Sequence, residues 1–85
     1  MLYRIFTENV NRKKIEGIVT ERYIGYTIMN STGMWKGQKE KSLVIEICTD
    51  KAEDAKVDWI AKAIKRENNQ EAVLVQKIRD NIKFI

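Results

Sequence analysis

Histidine and proline are both missing from the 85 residues, and cysteine occurs once. Without histidine the chain lacks the commonest general base near neutral pH and the commonest transition-metal ligand. A single cysteine, Cys48, rules out an intrachain disulfide and a CxxC redox pair. No GxSxG, HExxH, GxxxxGKS/T or EF-hand spacing occurs either. Acid–base work would fall to Asp, Glu and Lys, and the grouping of Lys39, Glu40 and Glu46 has no evident nucleophile beside it. We therefore expect a protein that is not an enzyme and that uses no metal and no cofactor.

Long apolar runs are also lacking. Ala72, Val73, Leu74 and Val75 form the longest, against the roughly 20 residues that span a bilayer. The N-terminus, Met1-Leu2-Tyr3-Arg4-Ile5, shows no basic leader followed by an apolar stretch, so a cytoplasmic protein without membrane association is expected. With 44% hydrophobic and 33% charged residues and no low-complexity segment, the chain has the composition of a folded protein. At this length, residues 1–85 are expected to make one domain. A chain so small buries only about 60–65% of its unfolded surface, which favours association with further copies.

Lys and Arg number 16 against 12 Asp and Glu, for a net charge of +4. The cations are interleaved with acids along the chain, unlike the one-sided stripe of a sequence-independent DNA binder. A small anionic partner fits this balance better than a long polyanion. The cluster Arg12-Lys13-Lys14 reads as a solvated helix face.

Periodicity divides the chain into six elements. Residues 2–7 are aromatic and β-favouring and read as a strand. Thr7, Asn9 and Asn11 offer caps for a helix on which Ile15, Ile18, Val19 and Tyr23 recur at helical spacing. Gly17 inside it marks either a close backbone approach or a weak spot. A second strand over residues 26–29 is expected to end near Asn30, followed by a turn-rich connection to Lys41. Residues 42–49 form the clearest strand, with Leu43, Ile45 and Ile47 on one face and Val44, Glu46 and Cys48 on the other. Cys48 is expected to be buried as a small hydrophobe. Glu46 should be a paired charge facing solvent or a subunit axis.

Asp50 with Glu53 looks like the cap of a second helix whose buried stripe is Val57, Ile60, Ala61 and Ile64, with Trp59 packing beside it. A polar loop over residues 66–70 precedes a strand over 72–78, and a tail ending Lys83-Phe84-Ile85 is left to dock or fray. The order β-α-β-β-α-β closes as an α+β, ferredoxin-like fold: one antiparallel sheet of four strands with both helices on one face. The other face carries apolar residues, and a neighbouring subunit is its simplest cover.

Gly25-Tyr26-Thr27-Ile28, the stretch Thr32-Gly33-Met34-Trp35-Lys36-Gly37-Gln38-Lys39-Glu40, Leu43-Val44-Ile45-Glu46-Ile47, Asp50, and Glu71-Ala72-Val73-Leu74-Val75 together resemble the PII signal-transduction superfamily, in a version with a shortened T-loop. The resemblance implies a homotrimer of ferredoxin-like subunits that binds an adenine nucleotide or a related anionic small molecule in each intersubunit cleft. It also implies that ligand contacts fall at the base of the T-loop and the loop before the last strand. The connection from 30 to 41 is far shorter than a partner-docking T-loop, and the loop 67–71 lacks the glycines and lysine that cradle phosphates in nucleotide-binding relatives.

Independently of the resemblance, Thr32, Gly33 and Gly37 offer backbone N–H groups, Lys36 and Lys39 offer cations, and Trp35 offers a flat face for a base. Arg79 adds charge after the last strand, from the same or a neighbouring subunit. Trp35 has a second reading as a plug between subunits. The functional expectation is a binding protein that senses or sequesters a nucleotide-type molecule, with a nucleic-acid-binding or purely structural interaction module as the alternative. The strand over 42–49 has no aromatic residue for stacking RNA bases.

Overall fold

The computed structural model of the chain describes residues 1–79, Lys83 and Ile85. The expectation for Phe84 lies outside the described residues.

Six elements follow in the order β1 (Leu2–Glu8), α1 (Arg12–Thr20), β2 (Thr27–Trp35), β3 (Gln38–Cys48), α2 (Asp54–Glu67) and β4 (Leu74–Ile78). The strands form one antiparallel sheet in the order β2-β3-β1-β4, the ferredoxin-like arrangement. Alternation decides which residues it buries. Tyr3 and Ile5 of β1 and Leu43, Ile45 and Ile47 of β3 face the helices. There they meet Ile15 and Val19 of α1 and Val57, Ile60 and Ile64 of α2. Each fully buried aliphatic side chain contributes roughly 1.5–3 kcal/mol through removal from water, so these two central strands and two helix stripes hold the fold together.

Among the described residues no helix lies over the sheet's other face. Register places Leu2, Arg4 and Phe6 of β1 there, beside Cys48, Glu46 and Val44 of β3 and Ile78, Gln76 and Leu74 of β4. Arg4 and Glu46 stand directly opposite one another and pair at 2.7 Å, which gives Glu46 its expected partner. Cys48 lies on this face and is exposed, contrary to the expected burial. The same alternation that buries Ile47 turns Cys48 outward.

Other differences concern where elements begin and end. The second helix starts at Asp54, and Asp50 stands outside it. The residue that precedes the helix is held from β1, where the Tyr3 hydroxyl accepts the Glu53 backbone N–H at 2.8 Å. Asn11 does precede α1, but in the left-handed region with φ 55° and without a capping side-chain bond. Its side-chain amide donates to Asn68 instead. The last strand starts at Leu74, two residues later than expected.

The largest difference is at residues 30–41. In place of a loop, β2 and β3 run as a continuous ladder to Trp35 opposite Gln38. Lys36 and Gly37 make the turn, with φ of 51° and 77°. Positive φ at both central residues is what a two-residue hairpin needs to match strand twist. β1 stops opposite Ser42. The pairs Thr32–Lys41, Gly33–Glu40, Met34–Lys39 and Trp35–Gln38 therefore extend beyond it as a two-stranded ribbon. Asn30, Ser31, Thr32, Gly33 and Gly37 gave this stretch the look of a loop, and ladder pairing makes it a ribbon.

Candidate functional site

Two anchored segments converge at the β4 side of the sheet. One is the segment between α2 and β4. α2 closes with Asn69 in the left-handed region at φ 50°, the Asn69 N–H donating to the Arg66 carbonyl and the Gln70 N–H to the Lys65 carbonyl. This is a Schellman ending with asparagine at the position that glycine more often holds. It turns the buried Gln70 toward the end of β1. There the Gln70 side-chain amide donates to Thr7 Oγ1 at 2.6 Å, and its oxygen accepts from the Glu8 N–H at 3.2 Å. With Gln70 fastened at both polar atoms, Glu71 is set at the mouth of the sheet.

The other segment is the ribbon tip. Two-stranded ribbons twist more than broad sheets, and the tip reaches the start of β4. Trp35 Nε1 donates to Glu71 at 3.3 Å, and Lys36 Nζ pairs with the other Glu71 oxygen at 3.0 Å. Both Lys36 and Glu71 are exposed, so this pair is worth at most about 1 kcal/mol.

Between the two segments lies a cavity of about 230 Å³. Phe6, Ser42 and Leu74 come from the sheet, Gly33, Met34 and Trp35 from the ribbon, and Gln70, Glu71 and Ala72 from the segment before β4, with Thr7, Glu8 and Glu40 completing the lining. Its chemistry is mainly apolar and aromatic, edged by carboxylates. Trp35 and Leu74 are exposed large hydrophobic residues. Gly33 lies against Ser42 and Glu40, whose atoms stand 3.5–3.6 Å from where a Cβ would be.

Of the seven residues singled out from the sequence, Gly33 and Trp35 line the cavity. Lys36 touches its rim through Glu71, and Gly37 shapes the turn. Thr32 and Lys39 are not among the residues that line it, although Met34, which pairs with Lys39, is. Arg79 follows Ile78, which pairs with Leu2 at the far end of β1, whereas the cavity adjoins Phe6 and Glu8. One chain therefore does not bring the expected cations together. Phe6, Glu8 and Leu74 escaped the sequence reading because only strand pairing carries them to the ribbon, whereas Gln70 and Glu71 lie in the loop before the last strand, where the resemblance implied ligand contact.

A second polar cluster lies at the opposite end. Tyr3 donates to Asp54 at 2.5 Å, Tyr23 to Glu53 at 2.9 Å, and Lys77 pairs with Asp54 at 3.0 Å. Burial, reinforced by the neighbouring carboxylates, holds both phenols above the ordinary tyrosine value. The hydrogen bonds from Tyr3 and Lys77 hold Asp54 below the ordinary carboxylate value. Trp59 lies half-buried under the Arg22 guanidinium, 3.8 Å from its ring centre, and packs against the core as expected. Among the described residues no group of three or more acidic or cysteine side chains is placed to hold a metal ion.

The sheet order, the helices on one face and the ribbon in the T-loop's place define a PII-like fold. Neither a protein-family model nor a curated protein matches the chain. Solved structures do. A DUF3240 family protein from Shewanella baltica OS155 is similar over 99% of this chain and 94% of its own, with a TM-score of 0.68 and 15% identity. A phage SAM lyase in its apo state is similar over 87% of this chain and 75% of its own, with a TM-score of 0.67 and 20% identity. The B. subtilis GlnK–ATP complex is similar over 91% of this chain and 79% of its own, with a TM-score of 0.63 and 21% identity. At such identities the likeness is one of fold.

Proposed function

We propose that this chain is a binding protein of PII-like fold that takes an adenosine-bearing small molecule in the cavity beside Trp35, and that it senses or sequesters the molecule without converting it. The observation that carries this reading is the cavity's position. Its walls are the ribbon tip and the segment before β4, the two places to which the PII resemblance assigns ligand contact. Trp35 and Phe6 supply flat apolar surface for a base. GlnK was solved with ATP and the phage enzyme is a lyase of SAM; adenosine is common to both molecules.

At about 230 Å³ the cavity is smaller than the roughly 300–1,000 Å³ usual for a complete small-molecule site. It suits the base alone, with the rest of the ligand held by a neighbouring subunit. Phe6 and Leu74 belong both to the cavity and to the uncovered apolar face, so a trimer closing over that face would complete the site.

Calorimetry with adenosine, ATP and S-adenosylmethionine tests the proposal. At least one is expected to bind, Trp35→Ala to weaken it about tenfold or more, and chromatography to recover the ligand intact. Failure of all three to bind the wild-type protein would overturn the reading. A second reading, turnover of the bound molecule, draws on the lyase neighbour and on the carboxylates of Glu8 and Glu40 at the cavity. Its mark would be loss of S-adenosylmethionine during the incubation, abolished by Glu8→Gln or Glu40→Gln.

A further inference from the structure

The chain is basic, yet the cavity is not. Among the described residues no lysine or arginine lines it, while Glu8, Glu40 and Glu71 do. Glu71 is engaged by Trp35 and Lys36. Among the described residues, the carboxylates of Glu8 and Glu40 have neither an ion-pair nor a hydrogen-bond partner. Strand register sets them close together. Glu8 is opposite Ser42, and Glu40 is two residues from Ser42 on the same face, which makes them diagonal neighbours roughly 7–8 Å apart.

Two unneutralised charges of one sign in a partly enclosed apolar recess focus a negative potential into it. The aromatic faces of Phe6 and Trp35 act in the same direction, since the face of a ring attracts cations. A phosphate in this recess would lose its hydration and meet like charge. A hard metal ion would ask for six or more oxygen ligands, and the lining is mainly Phe, Trp, Met, Leu and Ala around a few polar groups.

We infer that the cavity selects an organic cation: a ligand whose flat ring lies on Trp35 and whose positively charged group sits between Glu8 and Glu40. The inference rests on the proposed function, because it takes the cavity as the binding site, and it adds the sign of the ligand's charge there. The net charge of +4 then belongs to other surfaces of the chain.

A charge series on one scaffold tests it: 5′-amino-5′-deoxyadenosine, which is cationic near neutral pH, adenosine, which is neutral, and AMP, which is anionic. Calorimetry on the full chain should rank them in that order, with the amine at least about tenfold tighter than AMP. The double substitution Glu8→Gln and Glu40→Gln should bring amine and AMP within about twofold of one another. Each single substitution is measured too, with circular dichroism as the check of fold, so a folding defect in the double variant does not decide the outcome. Tighter or equal binding of AMP, or an unchanged ranking in folded variants, would overturn the inference and leave the cavity as a binding site. Absence of binding by all three compounds would overturn the binding-site reading and this inference with it.

Discussion

Gly17 sits in the middle of α1 with open space around it: a Cβ added there would meet nothing within 4 Å. The close backbone approach that the sequence left open is absent, and the glycine costs helix stability without a packing return. Gly17→Ala is expected to raise unfolding stability by about 0.5–1 kcal/mol, read as a higher urea midpoint at unchanged slope. Trp35 and Glu71 show the opposite case. Trp35 stood out in the sequence as an aromatic between glycines. Its partner Glu71 lies 36 residues away, and no local pattern joins the two.

At the scale of elements, α2 is tied down at both ends by groups from elsewhere in the chain. Tyr3 and Tyr23 hold its start through Glu53 and Asp54, and Gln70 locks its end to β1. The burial that raises the tyrosine pKa values has a consequence for stability. An unfolded chain ionises these phenols near the ordinary 10.0, while the folded chain keeps them neutral to higher pH. Their contribution is complete below about pH 10 and is lost as pH rises through the folded values. Urea unfolding from about pH 8 to about pH 11 should show stability falling in the upper part of this range, with a shallower fall in Tyr23→Phe. The β2–β3 ribbon carries a different lesson. Its residues Asn30, Ser31, Thr32 and Gly33 have turn composition, yet ladder pairing with Leu43, Ser42, Lys41 and Glu40 makes them strand. Pairing with a partner strand outweighed local propensity.

For the whole molecule, the decisive feature is the uncovered sheet face. Leu2, Phe6, Val44, Leu74 and Ile78 lie on it around the Arg4–Glu46 pair. A chain of 85 residues has little core to spare, and covering that face adds burial that one copy cannot supply. Under the proposed function, light scattering on the purified protein should return the mass of three chains. Val44→Glu should shift it toward one chain while leaving the helix signal intact, since Val44 lies outside the core against the helices. A wild-type protein that runs as a single chain at high concentration would remove the intersubunit cleft from the proposal.

The order of elements, the stripe Val57, Ile60 and Ile64, and the alternation along residues 43–47 were all legible from the sequence, because each is a local periodicity that a helix or strand imposes by its own geometry. From these the ferredoxin-like arrangement followed. Trp35 and Gly33 as cavity residues were legible too, through the composition of the ribbon. The sign of charge at the cavity was not. A sequence lists Lys36, Lys39 and Arg79 together with Glu8, Glu40 and Glu71 on equal terms. Only strand register, the twist of the ribbon and the anchoring of Gln70 placed the three acids around the recess and left Lys39 and Arg79 out of its lining. Coulomb interactions depend on distance in space, and folding sets that distance.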